Sequence, residues 1–137
     1  MAADAVKSGQ ALKTLKNMIG LQGGNTGVID DYGLFPQATR KHEIFAKDTG
    51  FITKINCEEC GLTALMLGAG RAVKDAKIDY SAGIILNKVF GEPVKKGELI
   101  ATLYSSSECD FMAAEKRFLD AYEIDNKFTK EIGIIIE

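Results

Sequence analysis

The sequence predicts an α+β fold, and three observations carry that expectation. Apolar residues recur at helical spacing near 9–19 and again near 111–122. Between these stretches lie short β-branched runs broken by turns that carry Gly and Pro. The chain has 137 residues, 46% of them hydrophobic, with 17 basic against 19 acidic side chains. That composition supports a real core and is too apolar and too evenly charged for disorder. The lack of a basic excess argues against a protein held on nucleic acid by phosphate contacts.

Each element follows from local chemistry. Ala2 to Lys7 reads as helix-like and begins without a lead-in, as expected of a piece cut from a longer chain. From Gly9 to Ile19, the residues Ala11, Leu12, Leu15, Met18 and Ile19 fall on one helical stripe, with Lys13, Lys16 and Asn17 opposite. Gly23 and Gly24 stop that helix. Thr26 is the expected cap of a short turn reaching Asp31, and Pro36 closes the region. His42 to Ala46 and Gly50 to Asn56 read as two strands around the turn Lys47–Gly50. Asn56 and Glu59 have the spacing of a capping box. The Leu62–Leu67 run that follows is apolar on nearly all sides, which predicts a buried helix ended by Gly68 and Gly70, with Arg71 at its negative end. Ile84 to Leu86 is the next strand. Gly91 and Gly97 bracket two tight turns around an inward Val94, and Pro93 excludes a central strand there. Leu99 to Tyr104 returns as a strand. Ser105 and Glu108 fit a second capping box, opening a helix with Phe111, Ala114, Phe118, Ala121 and Tyr122 on one face. Ile132 to Ile136 is the expected last strand. The resulting division is a helical and loop segment, 1–40, and one α+β unit, 41–137.

Few residues offer chemistry. No apolar run approaches the roughly 20 residues that span a bilayer, and the N-terminus has no secretory pattern. Three cysteines cannot all pair, so free thiols in a reducing cytoplasm are expected. Cys57-x-x-Cys60 has the spacing of half a zinc site or of a redox pair. Only Cys109 and His42 could add ligands, and Glu58 and Glu59 disfavour a thiolate, so a cap-region Cys57 and a buried Cys60 are expected. Gly68-Ala69-Gly70-Arg71 has the composition of a phosphate loop, but it follows a helix instead of opening one, and the same objection meets Gly23-Gly24. Asp30-Asp31 and Glu58-Glu59 read as solvated or as complements to helix starts. His42, the single histidine, reads as structural. Ser105-Ser106-Ser107 has no nearby base and reads as helix capping. The Gly91-x-x-Val94-x-x-Gly97 turn resembles the start of biotinyl and lipoyl carrier domains. The stretch Leu103 to Glu108 lacks the lysine such carriers modify, so a carrier or interaction module stands only as the alternative reading.

Several stretches together resemble the pyrimidine-nucleoside phosphorylase and thymidine phosphorylase family. They are the Gly9–Ile19 helix with Gln22-Gly23-Gly24, then Leu34-Phe35-Pro36-Gln37-Ala38, then Glu58-Glu59-x-Gly61-Leu62-x-Ala64-Leu65-Met66-Leu67-Gly68-Ala69-Gly70-Arg71. Lys77-Ile78-Asp79, Gly83-Ile84-x-Leu86-x-Lys88 and the segment from Gly91 through Ser105 continue the match in order. The resemblance implies the C-terminal portion of that family's longer polypeptide, with an α/β-hammerhead or barrel-sandwich-hybrid-like domain. It further implies phosphate-dependent cleavage of uridine, thymidine or deoxyuridine to the base and a (deoxy)ribose 1-phosphate, in a cytoplasmic enzyme of nucleoside salvage that pairs as a homodimer. The family's Lys-His-Ser phosphate signature lies N-terminal to the matched region. Lys41-His42 echoes it but continues as Glu43-Ile44, so no catalytic, cofactor-binding or metal residue is carried over. The expected partners are the N-terminal domains of the parent enzyme, with phosphate and nucleoside bound only by the intact parent, and neither nucleic acid nor membrane. The isolated chain is expected to be inactive.

Overall fold

The computed structural model describes residues 2–71 and 73–128. The chain divides into two compact units, Met1–Gln37 and Ala38–Glu137. The first holds helices α1 (Ala2–Lys7) and α2 (Gln10–Leu21), followed by two short 3₁₀ turns. Helix α2 ends in a Schellman motif: Gly23 N–H donates to Gly20 O and Gly24 N–H to Ile19 O. The first 3₁₀ turn, Thr26–Ile29, is capped by Asn25, whose side chain accepts from Gly27 N, and not by Thr26 as the sequence suggested. Asn25 holds the extended backbone a cap requires, which leaves Thr26 as the first residue inside the turn.

The second unit is a mixed assembly of helices and two three-stranded antiparallel sheets, with no closed barrel among the described residues. One sheet has the order β1 (Arg40–Phe45), β5 (Leu99–Ser105), β3 (Gly83–Leu86); the other has β4 (Pro93–Val94), β2 (Gly50–Ile55), β6 (Tyr122–Asp125). Strands β1 and β2, adjacent in sequence, thus belong to different sheets. The turn 47–49 passes between sheets and makes no hairpin. The segment 91–98 ties them together: Gly91 N–H donates to Ile52 O, Gly97 N–H to Ala46 O, and Ala46 N–H to Glu98 O. Gly91 and Gly97 take φ of 86° and 81°, open to glycine without strain. Val94 between them is buried, and Pro93 lies on an edge strand as expected.

Helices α3 (Cys57–Met66) and α4 (Phe111–Asp120) pack on each other. Asn56 caps α3, accepting from Glu58 N and Glu59 N, but Glu59 completes no capping box. Its carboxylate lies 2.7 Å from Arg117 Nε on α4 instead. The expected all-round burial of α3 fails. Thr63 is its only buried residue, with its hydroxyl donating 2.8 Å to Glu59 O, while Met66 is exposed. Helix α4 is capped by Asp110, which accepts from Met112 N and Ala113 N, and not by Ser105. Ser105 is instead the buried last residue of β5, so the helix starts five residues later than a Ser105 cap would place it. Ala114 and Phe118 face the core, but Tyr122 has already left the helix for β6. The final strand expected over Ile132–Ile136 lies outside the described residues.

The core gathers Ile44, Ile52, Leu67, Val94, Ile100, Leu103, Ala114, Phe118 and Ala121 from both sheets and both helix regions. Phe118 is the largest fully buried side chain, and its ring lies 4.6 Å from that of Tyr122. Phe118→Ala should cost about 3–5 kcal/mol in urea unfolding, the usual loss for a buried ring. Asp110→Ala removes only a cap and should cost about 1 kcal/mol in the same measurement. A smaller loss at Phe118 than at Asp110 would contradict this ordering of the core over the cap.

Candidate functional site

The densest polar cluster forms where the loop after α3 meets the end of β5. Helix α3 ends in a Schellman motif, with Gly68 N–H donating to Leu65 O and Ala69 N–H to Ala64 O. Gly68 has φ of 101°, and a Cβ there would press on the Ser107 hydroxyl and on Asp79. Gly68 therefore caps the helix, as expected of it; Gly70 lies beyond the cap. The chain then returns so that Asp79 N–H donates to Gly68 O.

Asp79 collects five hydrogen bonds on its carboxylate. Ser81 N and Ser81 Oγ donate to Oδ1 at 2.9 and 2.6 Å. Ser106 N, Ser107 N and Ser107 Oγ donate to Oδ2 at 2.6, 3.1 and 3.3 Å. Ser105 Oγ donates 2.7 Å to Leu67 O, fastening the strand end to the helix end. Sequence reasoning assigned these serines to helix capping; the structure assigns them to Asp79 and Leu67. The missed signal was Asp79-x-Ser81, a local turn pattern in which the side chain accepts from the backbone two residues on. The Ser81 hydroxyl above all, with the three amides, holds the Asp79 carboxyl down at about 2 against an ordinary 3.8. Such an acid is too weak a base to take a proton near neutrality. Its hydrogen bonds make it an anchor for the loop.

A second cluster joins α4 to β1. His42 Nε2 lies 2.8 Å from Glu115 Oε2, the His42 ring stacks on Phe111 at 5.6 Å, and the Arg40 guanidinium sits 4.8 Å over the same ring. His42 is thus held between the Glu115 carboxylate and the Phe111 ring. Cys57 is exposed at the first residue of α3, while Cys60 and Cys109 pack against the core; all three thiols are free. Burial, then the neighbouring Cys57 and Glu59, push the Cys60 thiol up, away from the thiolate a redox pair needs. Among the described residues no group of three or more His, Cys, Asp or Glu is placed to hold a metal. Asp30 pairs with Lys16, and Asp31 caps the second 3₁₀ turn through Gly33 N. Beside the Asp79 cluster, Arg71, Lys74, Asp75, Lys77 and Tyr80 line an open hollow of about 550 Å³. An open hollow leaves water in place around any bound group.

The fold is a mixed helix-and-sheet domain in which the Asp79 and Glu115 clusters fasten a loop and a helix to the first sheet. In sequence, residues 51–125 match the family described as the pyrimidine nucleoside phosphorylase C-terminal domain, and the chain belongs to that family. It is 43% identical over 108 residues to the pyrimidine-nucleoside phosphorylase of Geobacillus stearothermophilus, covering 79% of this chain and 25% of that protein. The Bacillus subtilis (strain 168) enzyme of the same name is 40% identical over 105 residues, 77% of this chain and 24% of that one. A Staphylococcus epidermidis enzyme of that name is 39% identical over 132 residues, 96% of this chain and 29% of its own length. The chain therefore spans 24–29% of the length of these relatives.

Two outcomes follow. Because Asp79 titrates below its unfolded value, its contribution is complete above about pH 4 and is lost as pH falls through about 2. Urea unfolding should show stability falling over that window, and Asp79→Asn should flatten the fall while lowering stability at pH 7. An unchanged acid profile in Asp79→Asn would contradict the anchor role. In alkylation at pH 8 followed by mass spectrometry, Cys57 should be modified well before Cys60; the reverse order would contradict the burial argument.

Proposed function

We propose that this chain supplies the C-terminal part of a pyrimidine-nucleoside phosphorylase and contributes shape to that enzyme, not reacting groups. In the whole enzyme inorganic phosphate attacks the anomeric carbon of uridine, thymidine or deoxyuridine. The bond to the base breaks and a (deoxy)ribose 1-phosphate is released. That reaction needs phosphate held in line and charge on the departing base stabilised. The clusters described here are already committed to internal bonds, so the N-terminal domains supply those tasks.

One observation carries the scaffold reading. Helix α2 has no buried residue, and Leu12, Leu15 and Met18 on its apolar stripe are 54%, 41% and 52% exposed. A single short helix is marginal in water, and an apolar stripe is stable when another surface covers it. The segment 1–40 accordingly belongs to the larger α/β domain of the parent, and the unit from 41 onward is its α/β-hammerhead or barrel-sandwich-like C-terminal domain. The parent is a homodimeric cytoplasmic enzyme of nucleoside salvage.

The purified chain, given uridine, thymidine or deoxyuridine with phosphate, should release no base or sugar 1-phosphate by liquid chromatography beyond a phosphate-free control. Phosphate-dependent release by the chain alone would overturn the reading.

A further inference from the structure

Among the described residues the four sheet edges are not alike. Strand β1 carries Arg40, Lys41 and Glu43, with Lys41 and Glu43 paired at 3.0 Å. Strand β4 is two residues long and starts with Pro93, and β6 carries Glu123 and Asp125. Charge, proline and brevity are the devices that keep an edge from recruiting another strand. Strand β3 carries neither charge nor proline: it reads Gly83-Ile84-Ile85-Leu86. Ile85 and Leu86 are 54% and 38% exposed, and the apolar character continues through exposed Val89 and Phe90. Among the described residues β3 pairs only with β5, so alternate backbone groups of its outer side have no strand partner.

We propose that in the longer protein the outer edge of β3 is covered by an extended segment of the N-terminal remainder, pairing with Gly83–Leu86. This rests on the reading of the chain as one part of a larger enzyme. The relatives supply the occupant: roughly three-quarters of their length lies outside the matched region. The edge itself supplies the pairing chemistry, backbone hydrogen bonds with side-chain contacts to Ile85 on one face and Leu86 on the other. A second copy of this chain would gain only four residues of pairing on each side, a small interface for a stable dimer.

The test compares amide hydrogen exchange in the 137-residue chain and in the intact Staphylococcus epidermidis relative, with light scattering on the chain. Protection factors remove the effect of differing sequence. The outward amides of Gly83–Leu86 should be unprotected in a monomeric chain. The aligned amides of the intact enzyme should be protected at least about tenfold more. Equal, low protection in both proteins would overturn the proposal. So would a concentration-dependent dimer of the chain that Ile85→Lys abolishes, which would make a second copy the occupant. Protection in the monomeric chain that vanishes on truncation after Phe128 would assign the edge to the chain's own end and overturn it too. Failure of the scaffold reading shows separately, as phosphorolysis by the chain alone.

Discussion

Burial of β5 between β1 and β3 is the constraint on which the second unit depends. It is the central strand of its sheet, and Ile100, Ala101, Leu103 and Ser105 along it are fully buried. Its start is set by the 91–98 segment, which also holds β2 and so links the sheets. Its end is set by Ser105–Ser107, which reach back to Leu67 and Asp79. Ion pairing reinforces the start: Lys88 Nζ lies 2.8 Å from Glu98 Oε1, and each raises the charged fraction of the other. That pair is partly exposed, so it adds modestly to what burial provides.

The helices are attached to this frame by side chains from distant parts of the chain. Arg117 reaches Glu59 between α4 and α3, and Glu115 reaches His42 between α4 and β1. Tyr122 donates its hydroxyl to Lys88 O at 3.0 Å, and burial pushes that hydroxyl above its ordinary range. These three contacts tie α3, α4 and β6 to the rest of the second unit.

Acidification probes this architecture in one place more than elsewhere. The loop between α3 and β3 is held through the Asp79 carboxylate, whose five donors lose their acceptor when it is protonated. The core beneath, built from Ile44, Leu103 and Phe118, has no such dependence.

Much was legible in the sequence because it depends on neighbours in the chain. The α2 stripe, the Schellman glycines, the Asn56 cap, the Gly91–Val94–Gly97 turns and the edge position of Pro93 all follow from periodicity or backbone preference. The family was legible for the same reason, since its motifs are strings of adjacent residues matched again over 51–125. Tertiary structure alone decided the rest. Ser105 to Ser107 satisfied a capping pattern, yet Leu67 O takes the Ser105 hydroxyl and Asp79, 27 and 28 residues earlier, takes the donors of Ser106 and Ser107. Glu59 left its capping box for Arg117, and β1 and β2 parted into separate sheets, β1 pairing with β5 and β2 with β4 and β6. Local spacing specifies which bonds a residue is able to make; only the folded chain specifies which partner arrives first and excludes water.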